Sequence, residues 1–115
     1  MVKNQGERTN YDAFWSTFGA IMGEDSLKDI PKFSTFYDNQ FHQARAATSP
    51  APLAREAVRL AREKAEKVIL ATNPIFPTNA DATRLSWIGL KMEDFDLVTD
   101  YANSCHSKPN PAYYQ

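Results

Sequence analysis

The feature that most constrains this chain is the tetrapeptide Val68-Ile69-Leu70-Ala71, its longest aliphatic run, with polar residues on both sides. A short run without polar alternation predicts a strand buried on both faces, as in parallel sheets. It is far below the ~20 residues of a membrane helix. Thr72-Asn73-Pro74 ends it, and Pro74 and Pro77 make the next stretch irregular. Thr78 to Asp81 has the spacing of a capping box, opening a helix through Leu85 and Trp87 that stops at Gly89. A second short strand is expected over 95–99. With a helix over 52–67, Pro52 at its first position, the second half reads α-β-α-β. That order is the grammar of a parallel α/β sheet.

The first half has helical spacing throughout. Thr9-Asn10-Tyr11-Asp12 fits a capping box, and Phe14, Trp15, Phe18, Ile21 and Met22 follow as one apolar stripe ending at Gly23. A second helix is expected over 31–47, with Phe33, Phe36, Tyr37, Phe41 and Ala44 on one side. An aromatic stripe at that spacing reads as core rather than as a ligand box. Thr48-Ser49-Pro50-Ala51-Pro52 breaks the pattern and marks a boundary between two parts of the chain. Glu56, Arg59, Glu63 and Lys67 read as a solvated face held by ion pairs three and four residues apart.

Composition narrows the class. The 115 residues fit one domain, and 14 acidic against 13 basic residues give a net charge of -1, with no basic block to mark a nucleic-acid partner. Cys105 is the only cysteine, so neither a disulfide framework nor a cysteine zinc site is expected. The opening residues 1–6 carry no apolar leader. These readings point to a soluble protein of a reducing compartment, the cytoplasm.

Ligands of open α/β sheets bind beyond the carboxyl ends of the strands. That rule points to Thr72 and Asn73 after the first strand and to the 99–108 loop after the second. A threonine hydroxyl, backbone N–H groups and the ammonium of Lys108 meeting at one spot would make an oxyanion or phosphate cradle. The other candidates are poorer. Adjacent residues such as Cys105 and His106 rarely face each other, His42 reads as a packing or surface histidine, and Asp94, Asp96 and Asp100 match no metal-loop spacing. Asp100 is near enough to support the site from behind.

Two motifs sharpen this reading. Val68-Ile69-Leu70-Ala71-Thr72-Asn73, followed by Ser107-Lys108-Pro109-Asn110-Pro111-Ala112-Tyr113-Tyr114, resembles the second and third motifs of the haloacid dehalogenase superfamily. Phe76-Pro77 and Arg84-Leu85-Ser86-Trp87-Ile88-Gly89-Leu90 resemble a bacterial hydrolase branch of it, and Arg8-Thr9-Asn10 with Phe14-Trp15 resembles its helical cap. The resemblance covers nearly the whole chain. It implies a partial Rossmann-like α/β core over 51–115 preceded by a partial helical cap subdomain over 1–50. It also implies Mg²⁺-dependent hydrolysis of a small phosphate ester through an aspartyl-phosphate. Thr72 and Asn73 would then bind the phosphoryl group and Lys108 would neutralise its charge, with Thr72 and Lys108 in the catalytic set.

The family's first motif, Asp-x-Asp after the first strand, and its fourth, an acidic metal-binding pair, have no counterpart at the matching places. The chain is therefore expected to be a fragment without the nucleophile and the magnesium ligands, and inactive alone. Asn110-Pro111 is a helix start followed by barely one turn, and two parallel strands are few for a covered sheet. An unpaired aliphatic strand edge predicts self-association. The alternatives are a non-catalytic protein-interaction module built on the aromatic helices, or a phosphate-binding domain without chemistry.

Overall fold

In the computed structural model, which describes residues 4–115, the aliphatic run forms a strand and pairs with the second one expected. Residues 1–3, part of the stretch read for a leader, lie outside the described residues. The chain is helix-rich α/β, with helices Asn10–Met22 (α1), Ile30–Asp38 (α2), Ala54–Lys64 (α3) and Thr78–Trp87 (α4). Strands Ile69–Leu70 (β1) and Leu97–Val98 (β2) run parallel, Ile69 opposite Leu97 and Leu70 opposite Val98. Parallel neighbours need a crossover, and α4 lies within it. Among the described residues no helix is long and apolar enough to cross a membrane.

Local chemistry explains most boundaries. Thr9 caps α1, its hydroxyl accepting from Asp12 N–H at 3.2 Å and donating to the Asp12 carboxylate. Gly89 ends α4 at φ +73°: its N–H reaches the Ser86 carbonyl and that of Leu90 reaches Leu85. That pair of bonds is the Schellman stop, which needs a residue without a Cβ in the left-handed region. An added Cβ there would also lie 2.9 Å from Arg55 Cδ.

Four expectations change. The helix expected over 31–47 divides at Asn39, whose side chain turns back to the Thr35 carbonyl at 2.9 Å, and Gln40–Ala47 continues as 3₁₀ turns. The aromatic stripe is only partly core, since Phe33 and Phe36 remain exposed. The third helix stops at Lys64 rather than 67, where Ala65 turns extended. At α4 the capping box does not form. Pro77 is the cap, and the Thr78 hydroxyl leaves the helix for the Asp100 carboxylate.

The sheet departs most from expectation. Its strands are not covered on both faces: Ile69 is 52% and Leu97 44% exposed on one face, while Val98 on the other is 6% exposed. Leu70 lines a cleft together with Leu85 of α4 and Ile88, which follows it. The Val98 side is thus buried and the Ile69–Leu97 side is left in solvent. The whole chain has the same openness. Its accessible surface is 8127 Å², against about 6300 Å² for a compact monomer of this mass. Its radius of gyration is 15.9 Å, against about 13 Å for a compact domain of this length.

The helical half is fastened to the strand ends. Asn10 N–H donates to the Ser104 carbonyl and Tyr11 N–H to Tyr101, while Asn10 Nδ2 donates to the Pro74 carbonyl at 3.1 Å. Aromatic rings continue the contact. Tyr11 meets Tyr101 edge to face at 5.1 Å, and Phe41 lies between Phe76 and Trp87. The start of α1 therefore sits over the loops where the strand-end rule places a ligand.

Candidate functional site

Parallel pairing makes β1 and β2 release their chains side by side. Thr72 N–H donates to Thr99 Oγ1 at 2.9 Å, and Thr72 Oγ1 donates to the Thr99 carbonyl, with the two hydroxyl oxygens 3.2 Å apart. Tyr113, on the 3₁₀ turn Pro111–Tyr114, donates its hydroxyl to the Thr72 carbonyl at 2.8 Å and lies 2.9 Å from Thr99 Oγ1. Asn110 caps that turn through the Ala112 N–H.

Lys108 reaches the same place. Its Nζ donates to the Ala71 carbonyl at 2.8 Å, one residue before Thr72, and stands 5.9 Å from the Tyr113 ring centroid. The structure thus places Lys108 against the residue before Thr72 at one end of the sheet, while the Thr72 hydroxyl turns to Thr99 and the cleft lined by Thr72 and Asn73 does not include Lys108. The exposed Asn73 adjoins Thr72. In this arrangement the Thr72 hydroxyl is spent on Thr99, and reaching an anion requires a turn about its Cα–Cβ bond. The ammonium keeps two further N–H bonds beyond the one it gives Ala71.

Thr72 and Asn73 open onto a cleft of about 550 Å³ that also holds Asp81 and Arg84, with Phe76 and Trp87 in its wall. Asp81 is 3% exposed; its Oδ1 lies 3.6 Å from Arg84 Nη1 and its Oδ2 has no partner. Burial pushes its carboxyl up to about 6, the Asp100 charge adding to the rise and Arg84 opposing it. Asp100, also buried, is fully engaged: one oxygen accepts from the Thr78 hydroxyl, the other from Ala102 N–H at 2.8 Å and Asn103 N–H at 3.1 Å. It binds the first turn of α4 to the loop after β2.

Thr99 and Tyr113 are the residues that sequence reasoning missed. The rule that selects Thr72 at one strand end applies equally to Thr99 at the other. Tyr113 carries no such signal, because its approach depends on the path of the whole 100–110 loop.

The remaining candidates do not gather here. Asp94 and Asp96 flank the opposite end of β2, each accepting a backbone N–H, from Lys91 and Val68 respectively. No group of three His, Cys, Asp or Glu side chains among the described residues is placed to hold a metal ion. The donor set for magnesium that the family resemblance implies therefore does not fit the described residues. His106 Nδ1 lies 3.4 Å from Asn110 Nδ2, Cys105 is a half-buried free thiol, and the exposed His42 lies 3.4 Å from the Thr83 hydroxyl. Another cleft, of about 740 Å³, lies between α3 and the 89–94 turn. There Arg59 pairs with Glu56 and Glu63, and Arg62 reaches the Asp94 carbonyl.

No family model, curated protein or solved structure matches the chain.

Proposed function

We propose that residues 51–115 form the phosphate-binding part of a phosphohydrolase of the haloacid dehalogenase type, the helical residues before them its cap. What supports the reading is the Lys108 ammonium on the Ala71 carbonyl, beside Thr72, beyond the carboxyl end of β1. Thr72 and Asn73 would bind the phosphoryl oxygens and Lys108 would offset their charge. In the parent protein a carboxylate outside this chain would attack the phosphorus of a small phosphate ester, expelling the alcohol, and water would hydrolyse the aspartyl-phosphate. Magnesium enters only through residues outside this chain. The lone cysteine fits a reducing, cytoplasmic setting.

Inorganic phosphate tests the cradle. At ten times its dissociation constant it should stabilise the chain by about 1.4 kcal/mol, seen as a rise in Tm over a chloride control of equal ionic strength. Lys108→Ala should abolish that rise and Thr72→Val should reduce it. Equal stabilisation of wild type and Lys108→Ala would refute the cradle. Turnover of 4-nitrophenyl phosphate by the 115-residue chain with Mg²⁺ would refute an external nucleophile. An exposed patch of Phe14, Trp15 and Phe18 would favour the protein-interaction reading; Phe14 is 43% exposed and Trp15 7%.

The second part of the proposal is association. The free edge of β1, the open Ile69–Leu97 face, and a surface excess the size of a standard interface favour it. Sedimentation velocity should show wild-type chain heavier than a monomer and Ile69→Lys shifted toward the monomer. A wild type that stays monomeric and unfolds cooperatively would end this part.

A further inference from the structure

The cleft of about 550 Å³ beside Thr72 and Asn73 contains one cation, and it is Arg84 rather than Lys108. Leu70, Phe76, Leu85 and Trp87 give it an apolar wall. Arg84 enters from the last turn of α4, half-exposed, its guanidinium carbon 5.6 Å from the centre of the Phe76 ring. A guanidinium laid over a ring keeps the edge that carries its N–H donors for other partners. Among the described residues Arg84 gives no hydrogen bond. Its ion-pair partner, Asp81 Oδ1, stands at 3.6 Å, beyond hydrogen-bond range. Burial outweighs Arg84 at the Asp81 carboxyl, which rises above its ordinary value, as expected of a loosely held pair. The Asn73 amide and the Ser49 hydroxyl, in the same cleft, also lack hydrogen-bond partners among the described residues.

Donors without acceptors beside an apolar wall suit a ligand that brings an anionic acceptor and an apolar body. Charge decides which anion. With Asp81 ionised the cleft is neutral, so a dianion on Arg84 would meet a repulsion from Asp81 that one guanidinium cannot offset. A single flat carboxylate matches the guanidinium fork edge to edge. We infer that this cleft binds a small carboxylic acid with an apolar body, its carboxylate on Arg84 and its body against Phe76 and Trp87. The site goes beyond the phosphate reading and does not rest on it, since neither Lys108 nor the Thr72 hydroxyl takes part.

Benzoate is the probe, with benzamide as its uncharged counterpart, both at pH 7.5. In ¹H–¹⁵N spectra of the 115-residue chain benzoate should shift the indole signal of Trp87, identified by its loss in Trp87→Phe. The signal of Trp15, which lies outside this cleft, should stay in place. Benzamide should bind about tenfold more weakly, the loss of one charge-assisted pair. Asp81→Asn, which removes the competing carboxylate, should tighten benzoate severalfold. Adding Arg84→Gln to Asp81→Asn leaves no Asp81 charge without its counter-ion, and should weaken benzoate about tenfold against Asp81→Asn alone with the Tm little changed. Equal affinity of benzamide and benzoate, or of the double and single variants, overturns the inference, as does benzoate that leaves Trp87 in place. Inorganic phosphate that displaces benzoate and itself loses affinity with Arg84→Gln would make Arg84 a phosphate ligand and overturn the choice of a carboxylate. Benzoate that binds through Arg84 in a chain that inorganic phosphate fails to stabilise upholds the site and removes only the phosphate reading.

Discussion

Asp100→Ala is expected to lower the unfolding free energy by about 2–3 kcal/mol, since a donor left without an acceptor costs roughly 1–3 kcal/mol when buried and less when, as here, it is part-buried. Three donors depend on this carboxylate: the Thr78 hydroxyl and the N–H groups of Ala102 and Asn103. Two of them shape the loop after β2, and the third fixes the start of α4 against it. Against a total of about 5–15 kcal/mol for a typical domain, the loss should lower the Tm by about 10 °C. Removing the charge also relieves Asp81, which offsets a fraction of the cost. Asp100→Asn keeps an acceptor for the loop N–H groups, and the Thr78 hydroxyl can turn to accept from the new amide, so it should recover at least half the loss. Urea unfolding of the three chains at pH 7 measures this. A loss below about 1 kcal/mol for the alanine variant would mean that the Asp100 bonds do not hold this loop.

Asp81 should behave in the opposite way. Its folded carboxyl is raised to about 6 from an unfolded value near 3.8, so the folded state binds the proton more tightly. The native state therefore gains stability from this group as pH falls through about 6 toward 4, and loses it as pH rises. The span corresponds to at most about 3 kcal/mol above pH 6. Asp81→Asn, which keeps the shape and removes the charge, should stabilise the chain at pH 7.5 by a sizeable part of that and have little effect at pH 4. Thermal melts of both proteins across pH 4–8 decide it. Parallel curves would show that Asp81 does not titrate in this window. Arg84→Ala should steepen the wild-type dependence, because the guanidinium is the group that favours the charged carboxylate.

These neighbouring carboxylates show where sequence reading stops. Asp100 is readable as a residue beside a strand end, and Asp81 as the fourth residue of a capping box. The capping-box reading assigns Asp81 to backbone N–H groups at the surface. In the fold Asp100 draws the Thr78 hydroxyl across to β2, Pro77 becomes the cap, and Asp81 is left buried with one free oxygen. The competing partner lies on another element, which no local window contains. Asn39 is a milder case. Its side chain bonds the Thr35 carbonyl and divides a helix that periodicity alone continues.

Exposure of the aromatics has the same origin. Periodicity shows that Phe33 and Phe36 belong to one side of α2, but whether that side is covered depends on what else the fold brings there. Phe41 is half-buried between Phe76 and Trp87, whereas Phe36 stays open.

The amino-acid order alone determined the α-β-α-β succession, the strand at 69–70, the cap at Thr9 and the stop at Gly89. Each depends on interactions within a few residues. The tertiary structure alone decided that the strands are covered on one face, that Thr99 and Tyr113 bind Thr72, and that Asp81 and Asp100 share a buried neighbourhood. Those outcomes depend on groups distant in sequence that compete for the same hydrogen bonds and the same apolar surface, and only the packed chain fixes which of them meet.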